Sequence, residues 1–234
     1  NVKETLVKKI HNHEPWEPSL KTSLAKFGFQ EPSKSWKDLI SLANYANFKK
    51  LYPNFFSWLL DLSARSYNAD LALHNLDRFV EKFTDKEHLF IQLSESKNLL
   101  ELLVFLFSGS QTLTDSLLSE PSYINWLSKP ETLAQSKSKD ILMRDFHEMA
   151  GEGLINNEIS NLLRKFKRRE YLRIGLRDLL GNAELMETVK DISDLADVCL
   201  QIAYEKANED LQKKYGVPTY KDENGNIKAS EFAV

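Results

Sequence analysis

Two stretches near the C-terminus constrain the fold of this chain more than any other part of it. The first runs Leu162-Leu-Arg-Lys-Phe-Lys-Arg-Arg-Glu-Tyr-Leu-Arg-Ile-Gly-Leu-Arg-Asp-Leu-Leu-Gly181. The second runs Asp191-Ile-Ser-Asp-Leu-Ala-Asp-Val-Cys-Leu-Gln-Ile-Ala-Tyr204. Neither contains proline, and their apolar residues recur every three or four positions, the period of a helix rather than a strand. Ile192, Leu195, Ala196, Cys199, Ile202, Ala203, Ala207 and Leu211 make one apolar stripe that calls for a partner helix.

The remainder reads the same way. Only eight Gly and seven Pro occur in 234 residues, and the prolines fall between periodic segments, which argues against a many-turned β protein. Helices are predicted over Leu20–Phe27, Trp36–Phe48, Phe55–Leu62, Leu71–Phe83, Leu113–Leu118 and Tyr123–Leu127. Pro53 suits the first turn of the third of these. Residues Asn12 to Pro18 form an irregular lead-in. Leu99–Phe107 is apolar on every side, so it belongs at the centre of a bundle, ended by Gly109. Trp58 and Trp126 each follow a proline-led helix start and are expected in the core or at helix junctions. The similar phrases Pro53–Leu59 and Pro121–Leu127 hint at a helical repeat.

A polar segment, Ser128 to Lys139, divides the chain, giving subdomains 1–130 and 131–216. Helices follow near Asp140–Ala150, Asn156–Leu180 and Asp191–Tyr215, with Asn156 or Asn157 able to cap the second. Gly216-Val-Pro then breaks the pattern. Asn224-Gly225 predicts a two-residue hairpin turn, and Ser230–Val234 the start of a buried strand, in a third segment, 217–234. The expected class is all-α, a multi-helix bundle ending in a short hairpin that begins a sheet cut short at Val234.

Charge is unevenly spread. From Leu162 to Leu180 seven Lys or Arg face two acids, while the whole chain carries −3, so the rest carries −8. Within the basic helix Arg169, Glu170, Arg173, Arg177 and Asp178 sit three and four residues apart, within mutual reach. Glu170 can pair with Arg173 directly, and it shares a face with Phe166 and Ile174. One reading is an ion network locking this helix to its neighbours. The other is that Lys167, Arg168 or Arg173 meets a catalytic domain or an acidic partner, which suits the planar fork of arginine. Nucleic-acid binding is disfavoured by the acidic balance and by the lack of an aromatic platform. No apolar run reaches the roughly 18 residues of a membrane span. With no apolar signal core and the single Cys199, a cytoplasmic location is the simplest expectation.

Other candidates dissolve under their own spacing. Gly109-Ser110 with Asp115 lacks the second carboxylate two residues on, where Leu117 stands. His147-Glu148 lacks a second His, because position 151 is Gly. Asp85-Lys-Glu-His88 lacks a paired partner motif. No catalytic, cofactor or metal residue is assigned in the chain.

Phe166-Lys-Arg-Arg-Glu-Tyr-Leu-Arg-Ile174, then Arg177-Asp-Leu179, Gly181 and Leu195-Ala-Asp197, resemble the bifunctional glutamine synthetase adenylyltransferase/adenylyl-removing enzymes of bacteria. Tyr215-Gly-Val-Pro218 and the segment Leu106–Pro121 are similar to further stretches of that family. The likeness runs from about Leu99 to Val234. It implies a parent enzyme that adenylylates glutamine synthetase and removes the group by phosphorolysis. Mg2+ and ATP would serve in a nucleotidyltransferase domain, with glutamine synthetase and a nitrogen-signalling protein as partners. It further implies that this chain is the helical region before a Gly-Lys-Leu-Gly-Gly loop and an Asp-x-Asp strand, without activity alone. The long helical region from Trp36 to Leu127 favours the N-terminal half. The competing reading is a free-standing helical-repeat scaffold that binds proteins.

Overall fold

A computed structural model describes residues 1–45, 54–151 and 159–230. Thirteen helices and two short strands are seen among them. The helices are α1 (Val2–His11), α2 (Leu20–Ala25), α3 (Pro32–Asn44), α4 (Phe55–Ser63), α5 (Ala69–Glu81), α6 (Lys86–Glu95) and α7 (Lys97–Gly109). They continue with α8 (Gln111–Ser119), α9 (Tyr123–Leu127), α10 (Pro130–Ala134), α11 (Lys139–Ala150), α12 (Ile159–Leu179) and α13 (Leu185–Tyr215). The strands are β1 (Thr219–Lys221) and β2 (Ile227–Ala229). The chain is all-α apart from that hairpin. The expected roles of Pro53 and of Asn156 or Asn157, the repeat phrase opening at Pro53, the end of the Trp36–Phe48 helix and the strand beyond Ser230 lie outside the described residues.

The chain divides into two compact units. The first takes residues 1–134 with 175–184, and the second takes 135–174 with residues from 185 onward.

In the first unit α7 is the central element. Leu100, Leu103, Val104, Leu106 and Phe107 are fully buried, and α7 packs against α4, α5, α6 and α8. A helix apolar all round can satisfy its hydrophobic surface only by such enclosure. Phe79 and Phe107 pack with ring centroids 5.5 Å apart, and the buried Asn75 side chain donates to the Phe107 carbonyl at 3.0 Å. Two of the helix junctions are single serines. Ser96 ends α6 and caps α7 through Leu99 N–H (3.2 Å), and Ser110 ends α7 and caps α8 through Leu113 N–H (3.4 Å). Each hydroxyl thus satisfies an amide that would otherwise be left without a partner. Gly109 ends α7 as expected, but for a reason of space. A Cβ there would fall 2.8 Å from a Leu179 methyl, as one at Gly175 would fall 2.7 Å from a Leu113 methyl.

Several elements differ from expectation. α1 and α6 are helices that the apolar period does not predict. Asn1 and Asp85 cap them, and each buries only two or three apolar residues, Leu6 and Ile10 or Leu89, Phe90 and Leu93. α13 begins at Leu185, one and a half turns or so before Asp191. Trp36 is buried, its indole N–H donating to the Glu14 carbonyl at 3.0 Å, whereas Trp58 and Trp126 are only half-buried. The neighbouring Phe55 and Phe56 fill the core beside Trp58 instead.

In the second unit, Leu142 and Phe146 of α11, Phe166 and Ile174 of α12, and Leu195, Val198 and Ile202 of α13 form one core, with the Phe146 and Phe166 rings edge to face at 5.4 Å. The stripe read along α13 is therefore two faces. Leu195 and Ile202 are buried, while Ile192, Ala196, Ala203, Ala207 and Leu211 are exposed. The hairpin pairs Thr219 with Ala229 and Lys221 with Ile227, antiparallel. Its turn is a five-residue loop rather than the two-residue turn expected at Asn224-Gly225. The Asp222 carboxylate accepts from Asn224 N–H (3.0 Å) and Asn226 N–H (2.9 Å), and Asp222 N–H donates to the Asn226 carbonyl (2.9 Å), which holds the loop together. Both strands are exposed.

Candidate functional site: a buried ion network on the basic helix

α12 is built from strong helix formers, and its one glycine, Gly175, is the close contact with Leu113 described above. Its turns set Phe166, Glu170, Arg173 and Ile174 toward the interior of the second unit, where all four are buried. At their centre Glu170 has no exposed surface. Its carboxylate accepts from Arg173 Nε at 2.7 Å, from Arg169 Nη2 at 3.2 Å and from Lys137 Nζ at 3.0 and 3.1 Å. Lys137 also donates to Asp145 at 2.7 Å.

Arg173, equally buried, donates through Nη1 to the Gln135 carbonyl at 3.2 Å. Its Nη2 stands 3.8 Å from Asp191 Oδ2, beyond hydrogen-bond range, and has no hydrogen-bond partner among the described residues. Arg169 lies over the Phe166 ring at 5.6 Å. Lys137, Arg169 and Arg173 are thus drawn together with Asp145, Glu170 and Asp191. Pairing matters because a buried ion is tolerable only with a partner.

The remaining basic-helix candidates part company. Arg177 is buried in the first unit, where Nε donates to the Leu133 carbonyl (3.3 Å) and Nη2 to the Asn182 carbonyl (3.4 Å). Lys167, Arg168 and Asp178 are exposed. Sequence reasoning passed over Lys137, which stands in a polar connecting segment with no periodicity to flag it. It also passed over Asp191, which did carry a signal. Asp191 is in phase with Leu195, Val198 and Ile202, and a carboxylate on an apolar face needs a cation.

The other candidates have local duties. Ser110 caps α8, and Asp115 accepts from Gln111 Nε2 at 2.8 Å. Asp85 caps α6 through His88 N–H at 2.9 Å. Outside the network, burial on α5 pushes the Asp77 carboxyl up to about 6, and burial likewise raises Asp38 on α3, against the opposing pull of His74. Among the described residues, no group of three or more His, Cys, Asp or Glu is placed to hold a metal ion. No helix among them is long and apolar enough to cross a membrane.

A family model described as glutamate-ammonia ligase adenylyltransferase matches residues 100–234, more than half of the chain. Curated relatives named bifunctional glutamine synthetase adenylyltransferase/adenylyl-removing enzyme match as well. One from Rhizobium meliloti is 25% identical over 212 residues, covering 86% of this chain and 21% of the relative. One from Brucella suis is 27% identical over 158 residues, covering 68% and 16%. One from Pseudomonas aeruginosa is 33% identical over 113 residues, covering 48% and 11%. The chain thus spans about a fifth or less of the length of these relatives.

Proposed function

We propose, for a chain that belongs to the glutamate-ammonia ligase adenylyltransferase family, a structural part in an enzyme that transfers an adenylyl group to glutamine synthetase and removes it by phosphorolysis. The observation that carries this reading is the family match over residues 100–234, which contain the basic helix and its network. The relatives' printed names supply glutamine synthetase as the protein acted on. A nitrogen-signalling regulatory protein is the second partner in this reading.

The chain's own residues brace rather than react. Arg169, Arg173 and Lys137 all donate to the one Glu170 carboxylate, an arrangement that holds a helix in place. Their work is to hold α12 at a fixed rotation and height. Small displacements of a supporting helix are costly to a site that depends on orientation. Mg2+ and ATP would supply the metal-assisted displacement at phosphorus. The described residues offer no matching donor set, so no step runs through them.

Adenylylation measured with Mg2+ and ATP, and phosphorolysis measured with phosphate, test the reading. The chain alone is expected to be silent in both. A longer polypeptide that includes it is expected to be active, and to lose activity with Arg173→Lys while still binding glutamine synthetase. Turnover by residues 1–234 alone would refute the bracing role.

A further inference from the structure

The second unit carries two exposed strips, one along α13 and one on α12. While Leu195, Val198 and Ile202 face the core, Leu185, Val189, Ile192, Leu200 and Leu211 of α13 are 40–73% exposed. Exposed alanines at 196, 203 and 207 fill the intervals. The line repeats every eleven residues, as in Leu185, Ala196 and Ala207 or Val189, Leu200 and Leu211. That repeat keeps nearly to the natural period of a straight helix. The line therefore holds one face along all 31 residues of α13, about 46 Å at 1.5 Å per residue. Single exposed apolar residues are ordinary, but a contiguous line marks an interaction surface.

The second strip is the outer face of α12. Arg164, Lys167 and Arg168 are exposed there, with Tyr171 among them, 42% exposed. Cys199 of α13 and Leu162 and Leu163 of α12 pack against the same core. The Lys167 charge reaches the Cys199 thiol and opposes the rise that burial gives it.

We propose that the two strips together bind an acidic amphipathic helix of another protein. Its apolar face lies along α13, and carboxylates on one of its edges meet Lys167 and Arg164 of α12. This is helix-in-groove recognition with charge fixing the register. A nucleic acid fits less well. A few cations over two turns fall short of the roughly six to ten phosphate contacts typical of duplex binders, and the apolar line has no use on a phosphate backbone. A two-fold copy of the chain, lying antiparallel on α13, would set one cationic α12 face against the other. The inference does not depend on the adenylyltransferase reading.

The test uses the full chain and a labelled synthetic helix with leucine and alanine on one face and glutamates along one edge, followed by fluorescence anisotropy. The glutamate helix is expected to bind. Val189→Ser with Leu200→Ser, and separately Arg164→Glu with Lys167→Glu, should each weaken it about tenfold or more, roughly 1.4 kcal/mol. The charged contribution should fade at high salt. All four positions are exposed, so unchanged far-UV dichroism is expected and confirms that the variants fold. Equal binding of a scrambled or lysine-edged peptide would overturn the proposal. So would indifference to either double variant, tighter binding of duplex DNA through Arg164 and Lys167, or a dimer in sedimentation that Leu200→Ser dissolves.

Discussion

The first unit buries its central helix, α7, among leucines and phenylalanines, whereas the second closes its core beside Glu170, Arg173 and Asp191. Apolar burial is non-directional and rewards any side chain of the right volume. A buried ion cluster rewards only one arrangement, because each member needs its partner at hydrogen-bond range. The first unit should therefore forgive conservative changes and the second should not.

That contrast can be broken most directly at Glu170. Glu170→Gln keeps the shape but leaves Arg173 and Lys137 without their shared carboxylate, and a loss of about 3–5 kcal/mol is expected in urea unfolding. A loss below 1 kcal/mol would mean that water reaches the cluster. In the first unit, Leu103→Ala should cost about 2–5 kcal/mol by leaving a cavity, but Leu103→Met less than about 1.5. Arg173→Lys is the matching conservative change in the second unit. It removes the Nη1 bond to the Gln135 carbonyl and should cost about 1–3 kcal/mol, with rescue by no other single cation. If Leu103→Met proved the costlier of the two conservative changes, the contrast would fail.

The smallest effect concerns a charge in the first unit. The folded state holds the Asp77 carboxyl near 6, above its ordinary 3.8, so folding disfavours its ionised form. As pH rises from about 4 to 6 the unfolded chain releases this proton first, and stability falls. The loss is complete about one pH unit above 6. Asp77→Asn should thus stabilise the protein at pH 7, by about 1 kcal/mol after allowance for its half-exposed setting, and should do nothing below pH 4. Thermal melts at the two pH values decide it.

Much of the fold is legible in the residues themselves. The apolar girth of Leu99–Phe107 dictates a central helix, and the three-residue spacing of Glu170 and Arg173 places their contact on one helix face. What escapes the sequence is tertiary. α1 and α6 have weak apolar faces and are fixed by caps and by the core they dock on. Lys137 gains its importance from a loop path that no local pattern encodes. The two faces of α13 share one amphipathic signature, and only packing decides which of them is enclosed.

The serine junctions carry one further consequence. Ser96 and Ser110 each close one helix and open the next, so the corners of α6, α7 and α8 contain no spare chain. Adding a residue at either corner would spin the following helix by about 100° and turn its greasy side outward. These corners are length-locked, and insertions and deletions in this part of the molecule should be confined to other connections.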